Sequence, residues 1–341
     1  MPATENLITS HPHRKLCGKN YLIAYTAVRS LKMSIVQRYE KNPILTRDDV
    51  PYPVATVHNA GVTRYNNRYI MIFRSHLTSG RSILGLAHSD DGFRFTVAET
   101  PFMTPATHGV FQIYEEYGLE DPRITHIDDE YLITYSAYSR YGARIALAKT
   151  RDFKKIDRIS LITEADSRNL VIFPEKIDGL YVRLDRPHSW ITPWSIWISY
   201  SPDLRYWGNA RLVLKPAQYH WDEMKIGPGA PPIKTSEGWL NIYHGVFQTM
   251  AGCVYRLGVA LHDLTDPSII RGVSDGWILH PEEEYEITGY VPNVVFTCGA
   301  IPEPDGTLKI YWGAADTVMC MGTANINDLV DLCLKNPRAA V

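Results

Sequence analysis

The residues with chemistry in them begin at YGLEDPRIT, Tyr117 to Thr125, where the carboxylates Glu120 and Asp121 stand beside Pro122 and Arg123. A proline disfavours helix in the residue before it, so Asp121 is expected in extended backbone at a strand entrance, held beside Arg123. Taken alone, the stretch reads better as a turn closed by a structural ion pair. Elsewhere the polar candidates fall into two groups. Asp121, Asp316 and Glu175 could contact hydroxyls or supply a proton. Arg168, Arg186, Lys176 and His244 form a cationic set suited to a phosphate or carboxylate, which arginine can grip in a fork. Trp190, Trp194, Trp197, Tyr243 and Trp312 could stack on sugar rings. Strands and their cores also use aromatics for packing, so one or two of these at most are expected to face a ligand.

Other chemistries lack their residues. There is no GxxxxGKS loop and no GxGxxG after a strand, which argues against a nucleotide phosphate. No GxSxG elbow is present. His11 and His13 flank Pro12, and neither they nor the scattered histidines have metal-ligand spacing, so no metal is expected. The run IGPGAPP, Ile226 to Pro232, is rigid and kinked, which suits a pocket wall better than a phosphate cradle.

The elements that must position these groups repeat. Aromatic-rich strands start near Tyr69, Tyr131, Leu180, Trp239 and Leu308, and each is followed by a second apolar strand. That second strand ends in a turn carrying Asp91, Asp152, Asp203, Asp263 or Asp328. Units of this length, mostly strand, with Gly, Pro, Asn and Asp between strands, predict an all-β, five-bladed β-propeller rather than a sandwich. The clearest helical periodicity is C-terminal, over Asn327 to Leu334, and predicts a short helix. In a propeller, strand ends converge on an axial funnel. Read to its end, each aromatic strand reaches Arg74, then Ser136 and Tyr138, then Arg183 and Arg186, then His244, then Asp316. Blade cores have no use for buried charge, so the set predicts a polar axial pocket.

Composition agrees. The 341 residues are 45% hydrophobic and 11% aromatic, enough for a large core, and the net charge of −2 supplies no basic field for nucleic acid. Five cysteines (Cys17, Cys253, Cys298, Cys320, Cys333) without CxxC spacing fit reduced thiols in a cytoplasmic protein. No apolar run reaches membrane-spanning length, and Tyr21 to Val28 only imitates a signal peptide. Residues 1–33 are read as an N-terminal extension or oligomerisation arm, and residues 34–341 as the propeller.

Several long motifs resemble glycoside hydrolase family 130: YGLEDPRIT, SRNLVIFPEKIDGLYVRLDRP, IWISYSPDLRYWG, KIGPGAPPIKTSEGWLNIYHGV, VPNVVFTCGAI and YWGAADT. The similarity runs from about Arg38 to the C-terminus, with residues before Met33 outside it. The resemblance implies an inverting β-mannoside phosphorylase on a five-bladed propeller. It implies Asp121 as the single catalytic acid, its proton passing through a hydroxyl of the bound mannose. It places Arg168, Arg186, His244 and Tyr255 around phosphate, with Lys176 a further candidate, and Asn59, Arg74, Arg123 and Asp316 around the mannose. An inverting hydrolase needs a second carboxylate to activate water, whereas phosphate is already an anionic nucleophile. Hydrolytic relatives lack the basic set and this chain keeps it, so phosphorolysis is expected over an inverting β-mannosidase or a non-catalytic glycan-binding propeller. The implied partners are a saccharide and inorganic phosphate as co-substrate, with no organic cofactor, no nucleic acid and no membrane, and a homo-oligomer is plausible on family grounds. RYEKNPILTRDDVPYP and FPEKIDG resemble the mannosyl-glucose branch, with β-1,4- and β-1,2-mannobiose and longer mannooligosaccharides as alternatives.

Overall fold

The computed structural model describes residues 35–190, 193–335 and 337–341. The expected N-terminal extension, with Cys17 and the Tyr21 to Val28 run, lies outside the described residues.

Antiparallel hairpins build the chain. A two-residue strand, β1 (Gln37–Arg38), is followed by β2 (His58–Tyr65), β3 (Arg68–His76), β4 (Ser82–Ser89) and a short β5 (Thr96–Val97). Asn66 and Asn67 join β2 to β3 with φ of 49° and 61°, the two-residue turn whose twist matches a hairpin. After helix α1 (Gly109–Tyr114) come β6 (Gly118–Ile127), β7 (Glu130–Ser139), β8 (Gly142–Thr150) and β9 (Asp157–Leu161). A third group comprises β10 (Ser167–Ile172), β11 (Tyr181–Pro187), β12 (Ile196–Ser201) and β13 (Gly208–Leu214). A fourth comprises β14 (Lys225–Pro228), β15 (Ile233–Lys234), β16 (Trp239–Thr249), β17 (Gly252–His262) and β18 (Ile270–Val273). Helix α2 (Glu284–Ile287) precedes β19 (Val295–Pro302), β20 (Thr307–Ala314) and β21 (Val318–Asn325), and α3 (Ile326–Lys335) follows.

Among the described residues the strands make four hydrogen-bonded sheets, all antiparallel within each hairpin. The first two groups share one sheet through a single parallel bridge, Ser82 to Gly118. Strand β1 pairs with β21, so the start of the described chain completes its last sheet. Arg38 also ties β1 to the segment around α2, reaching Glu286 at 2.8 Å and Glu282 at 2.9 Å. The all-β expectation holds. The aromatic strands at Tyr69, Tyr131, Leu180, Trp239 and Leu308 are, however, second in the hydrogen-bonded order of their groups. The strands next to them, β2, β6, β10, β14 and β19, pack against one another; β2, β10, β14 and β19 are sheet edges, and β6 meets β4 only through that single bridge.

Each group buries one face against its neighbour. Leu240, Ile242 and Leu257 of the fourth group, for example, meet Leu308, Ile310 and Trp312 of the last. Four of the five closing aspartates have the same local reason to be there. The Asp91 carboxylate accepts backbone N–H groups from Phe93 and Arg94, Asp152 from Lys154 and Lys155, Asp203 from Arg205 and Tyr206, and Asp263 from Thr265 and Asp266. These are Asx turns, which free the next strand to reverse. Asp328 breaks the pattern: it lies in the first turn of α3, where Asn325 accepts the N–H of Asn327 at 2.9 Å. The expected C-terminal helix thus occupies the fifth closing turn, burying Leu329, Val330 and Cys333.

Candidate active site

Three strands carry the same irregularity. The ladder slips between His58 and Gly61 in β2, between Glu120 and Arg123 in β6, and between Arg168 and Val171 in β10. Each slip contains an Asx residue in left-handed backbone: Asn59 (φ 48°), Asp121 (φ 51°) and Asn169 (φ 59°). An L-residue pays roughly 1–2 kcal/mol for that conformation, least when it is Asn or Asp, and a bulge re-aims its side chain. All three side chains line one cavity of about 270 Å³. Asp121 is therefore not in the extended backbone that Pro122 alone suggested. Pro122 disfavours the right-handed helical region before it, and the bulge takes the left-handed one instead.

On one side of this cavity the acid is clamped. The Asn59 amide donates to Asp121 Oδ1 at 2.9 Å and Arg74 Nη1 donates to the same oxygen at 3.0 Å. Arg74 Nη2 also donates to Glu120 Oε1 at 2.8 Å, and Arg168 Nη1 donates to Glu120 Oε2 at 3.0 Å. Burial alone would push the Asp121 carboxyl up, but Arg74, Arg123 and the Asn59 amide together hold it well below the usual range. Asp316, at φ 48° just beyond β20, lines the same cavity. Burial raises it to about 6, with Arg74 pulling down and Asp121 and Glu120 pushing up. Arg123 does not line the cavity. It is buried behind Asp121, donating to the Asp121 carbonyl at 2.9 Å and the Gly229 carbonyl at 2.7 Å, and so braces the bulge against the IGPGAPP run.

The other side is cationic. Arg168, Arg186, Lys225, His244 and Tyr255 line it with Trp194. Arg186 Nη1 lies 3.2 Å from His244 Nε2, and the Lys225 ammonium sits 5.0 Å from the Trp194 ring centre. Among the described residues neither Arg186 nor Lys225 has a carboxylate partner within ion-pair distance. Burial and then the neighbouring Arg186 depress Lys225 to about 8. Burial takes Arg186 down to about 10 and, with Arg186 and Arg123, drives His244 well below its usual value, so the imidazole is neutral. Clustered, half-desolvated cations are unfavourable on their own and become favourable around an anion. Gly227 makes room for the histidine: a Cβ there would lie 2.6 Å from His244 Cε1.

Asp121, Arg168, Arg186, His244, Tyr255, Asn59, Arg74 and Asp316 are thus brought together. Lys176 is not: it is exposed and stacked 4.5 Å from the Tyr181 ring, because the turn after β10 carries it outward. The lysine on the cationic wall is Lys225, just ahead of IGPGAPP, which pattern reading passed over. Glu175 pairs with Lys234 at 2.7 Å on the surface, and Arg183 turns to the Ser199 hydroxyl. Of the five aromatics considered, only Trp194 lines the cavity; Trp312 and Tyr243 are core, and Trp190 is exposed. Asn169 and Phe296 also line it and were missed. A second groove opens beside the cavity, sharing Arg74, Val291 and Asp316 and edged by Tyr117, Tyr138 and Tyr290. Among the described residues no cluster of His, Cys, Asp and Glu could hold a metal, and no helix is long and apolar enough to cross a membrane.

A family profile described as β-1,4-mannooligosaccharide phosphorylase, glycoside hydrolase family 130, matches residues 18–335. The match begins ahead of Arg38, so the family likeness reaches into the segment that motif reading had left outside. The β-1,2-mannobiose phosphorylase of Listeria innocua is 34% identical, over 86% of this chain and 97% of its own length. The β-1,4-mannooligosaccharide phosphorylase of Ruminococcus albus is 33% identical, over 87% of this chain and 90% of its own. A solved structure of a Listeria innocua β-1,2-mannobiose phosphorylase with β-1,2-mannobiose superposes with a TM-score of 0.81 at 32% identity. It covers 88% of this chain and 99% of that one. The chain belongs to glycoside hydrolase family 130.

Proposed function

We propose that the chain catalyses inverting phosphorolysis of β-mannosides, giving α-D-mannose 1-phosphate and a shortened acceptor. In this reading the cavity holds one mannose residue, with Asn59, Arg74 and Asp316 around it and Arg123 supporting the wall from behind. Asp121 sends its proton through a sugar hydroxyl to the glycosidic oxygen. The C1–O bond breaks, a hydrogen-phosphate oxygen bonds to C1 from the opposite face, and the phosphate's proton is released as the product ester ionises. Arg168, Arg186, Lys225, His244 and Tyr255 cradle the phosphate. The tyrosine-edged groove takes the leaving sugar.

The observation that carries this reading is the pair of cations, buried Arg186 and half-buried Lys225, without carboxylate partners among the described residues beside a single clamped acid. An inverting hydrolase would need a second carboxylate on that wall to activate water, where cations stand instead. The two curated relatives above are both named as phosphorylases. First substrates are 4-O-β-D-mannosyl-D-glucose and short β-1,4-mannooligosaccharides, with β-1,2-mannobiose as the alternative that the Listeria relative supports. The fold is read as five blades. The single bridge between the first two strand groups supports counting them as separate blades, and the β1–β21 pairing is how such a ring would be fastened. The four described cysteines are unpaired, which supports a reducing compartment.

The test is release of mannose 1-phosphate from those three saccharides with and without phosphate. Phosphate-dependent product is expected. Free mannose without phosphate would make the enzyme a hydrolase and the cradle misread.

A further inference from the structure

The cationic wall is assembled from two groups of strands. Arg168 on β10 and Arg186 on β11 belong to the third group, while Lys225 on β14, His244 on β16 and Tyr255 on β17 belong to the fourth. The clamped acid and its neighbours come from elsewhere, Asn59, Arg74 and Asp121 from the first two groups and Asp316 from the last. The spacing between the third and fourth groups therefore shapes the anion cradle and leaves the sugar side alone.

Residues 337–341 span those two groups at their outer strands. The Arg338 N–H donates to the Val273 carbonyl of β18 at 3.1 Å, and Pro337 bridges Ser274 beside it. The N–H of Lys215, directly after β13, donates to the Ala340 carbonyl at 2.9 Å. Between these anchorages the Arg338 side chain, only 8% exposed, turns inward. Its Nη2 donates to Asp222 Oδ2 at 2.6 Å and to the Tyr243 hydroxyl at 3.2 Å, and its Nη1 donates to the Lys215 carbonyl at 3.4 Å. Asp222 is fully buried in the connection from β13 to β14, three residues ahead of Lys225. Tyr243 immediately precedes His244 on β16 and donates to the same Asp222 oxygen at 3.2 Å.

We propose that Arg338 is a positioning residue for phosphate: through Asp222 and Tyr243 it holds the strands bearing Lys225 and His244 in place against those bearing Arg168 and Arg186. This rests on the phosphorolytic reading of the site. A buried carboxylate deprived of its arginine must move or admit water, and Asp222 cannot move without dragging the chain that enters β14. Trp221 beside it has no slack. A Cβ at Gly245 would lie 2.4 Å from its ring and one at Gly258 2.8 Å, so β16 and β17 already press on it. Displacement is passed on to Lys225 and His244. Arg186 and Lys225 are also like charges, one from each group, and their repulsion works to part the groups. The two groups meet at the cavity, where the Ile226 N–H donates to the Trp194 carbonyl at 2.9 Å. The strap opposes the same parting at β13 and β18.

The test is steady-state kinetics of the full chain with phosphate and mannoside varied in turn, beside phosphate binding by calorimetry. R338Q should raise the KM for phosphate about tenfold and weaken phosphate binding to match. Its KM for the mannoside, and its kcat at saturating phosphate, should stay within about twofold of wild type. R338K keeps a charge opposite Asp222 and should recover most of the loss. A purely structural arginine would lower the unfolding temperature of R338Q and leave both KM values where they were. That result, or equal rises in the two KM values, overturns the proposal. If R338Q fails to fold, Y243F decides. It removes the hydroxyl that Arg338 and Asp222 share, and should raise the phosphate KM about threefold; an unchanged value overturns the proposal. An unmodified enzyme that neither binds phosphate nor depends on it for turnover would overturn the functional reading instead, a result distinct from any difference between variants.

Discussion

Replacing Asp121 by Asn separates chemistry from architecture at this site. Asn tolerates left-handed backbone about as well as Asp, so the bulge at φ 51° should survive. The lost charge had been balancing Arg74, but Glu120 remains 2.8 Å from that guanidinium. The stability loss should then fall below the ~3–5 kcal/mol of a fully broken buried pair, at about 1–2 kcal/mol. The catalytic loss should be far larger, since a positioned acid is worth roughly 10²–10⁴ in rate. D121A is the contrast: alanine adds a left-handed penalty of roughly 1–2 kcal/mol and leaves the Asn59 amide and Arg74 Nη1 without their shared acceptor. Thermal unfolding should rank wild type, D121N, D121A. Mannose 1-phosphate release from the disaccharide should collapse in both variants, while phosphate binding by calorimetry persists in D121N. A mannoside with an acidic phenol leaving group needs little protonation and should recover much of the lost rate. D121N working within tenfold of wild type on the disaccharide would refute the acid role. Equal losses on both substrates would show that Asp121 positions the sugar and does not protonate.

Two further results follow from the cationic wall. Lys225 carries its charge below about 8 and loses it above, so the KM for phosphate should climb as pH rises past that value, and K225R should flatten the climb because arginine stays charged. The same climb in both proteins would remove Lys225 from the cradle. G227A would drive a methyl group to within 2.6 Å of His244 Cε1, and should raise the phosphate KM at a stability cost of about 1–3 kcal/mol. Unchanged kinetics would show that His244 can move without consequence.

Much of the fold can be read along the chain because its rules are local. Strand alternation, the Asn66–Asn67 turn and the Asx turns at Asp91, Asp152, Asp203 and Asp263 each depend on a few neighbouring residues. So does the amphipathic stripe of α3, although that helix displaced the fifth turn expected at Asp328. The acid motif and most of the basic set were visible for the same reason, since they lie in long, distinctive stretches of sequence.

What the chain by itself does not decide is which way a side chain faces once strands pair. Lys176 follows an apolar run and Lys225 precedes one. Pairing of β14 with β16, and a separate bridge from Trp194, put Lys225 beside Tyr255 and Trp194, while the turn after β10 sends Lys176 to solvent. Arg123 sits two residues from the acid, yet the fold uses it as a brace behind the bulge. The left-handed backbone of Asn59, Asp121 and Asn169 comes from register slips between strands, and a slip is a property of two segments together. Residue types and their local order set which chemistry is available here. Tertiary pairing decided which carboxylate was clamped, which cations were left without partners, and therefore where an anion would be held.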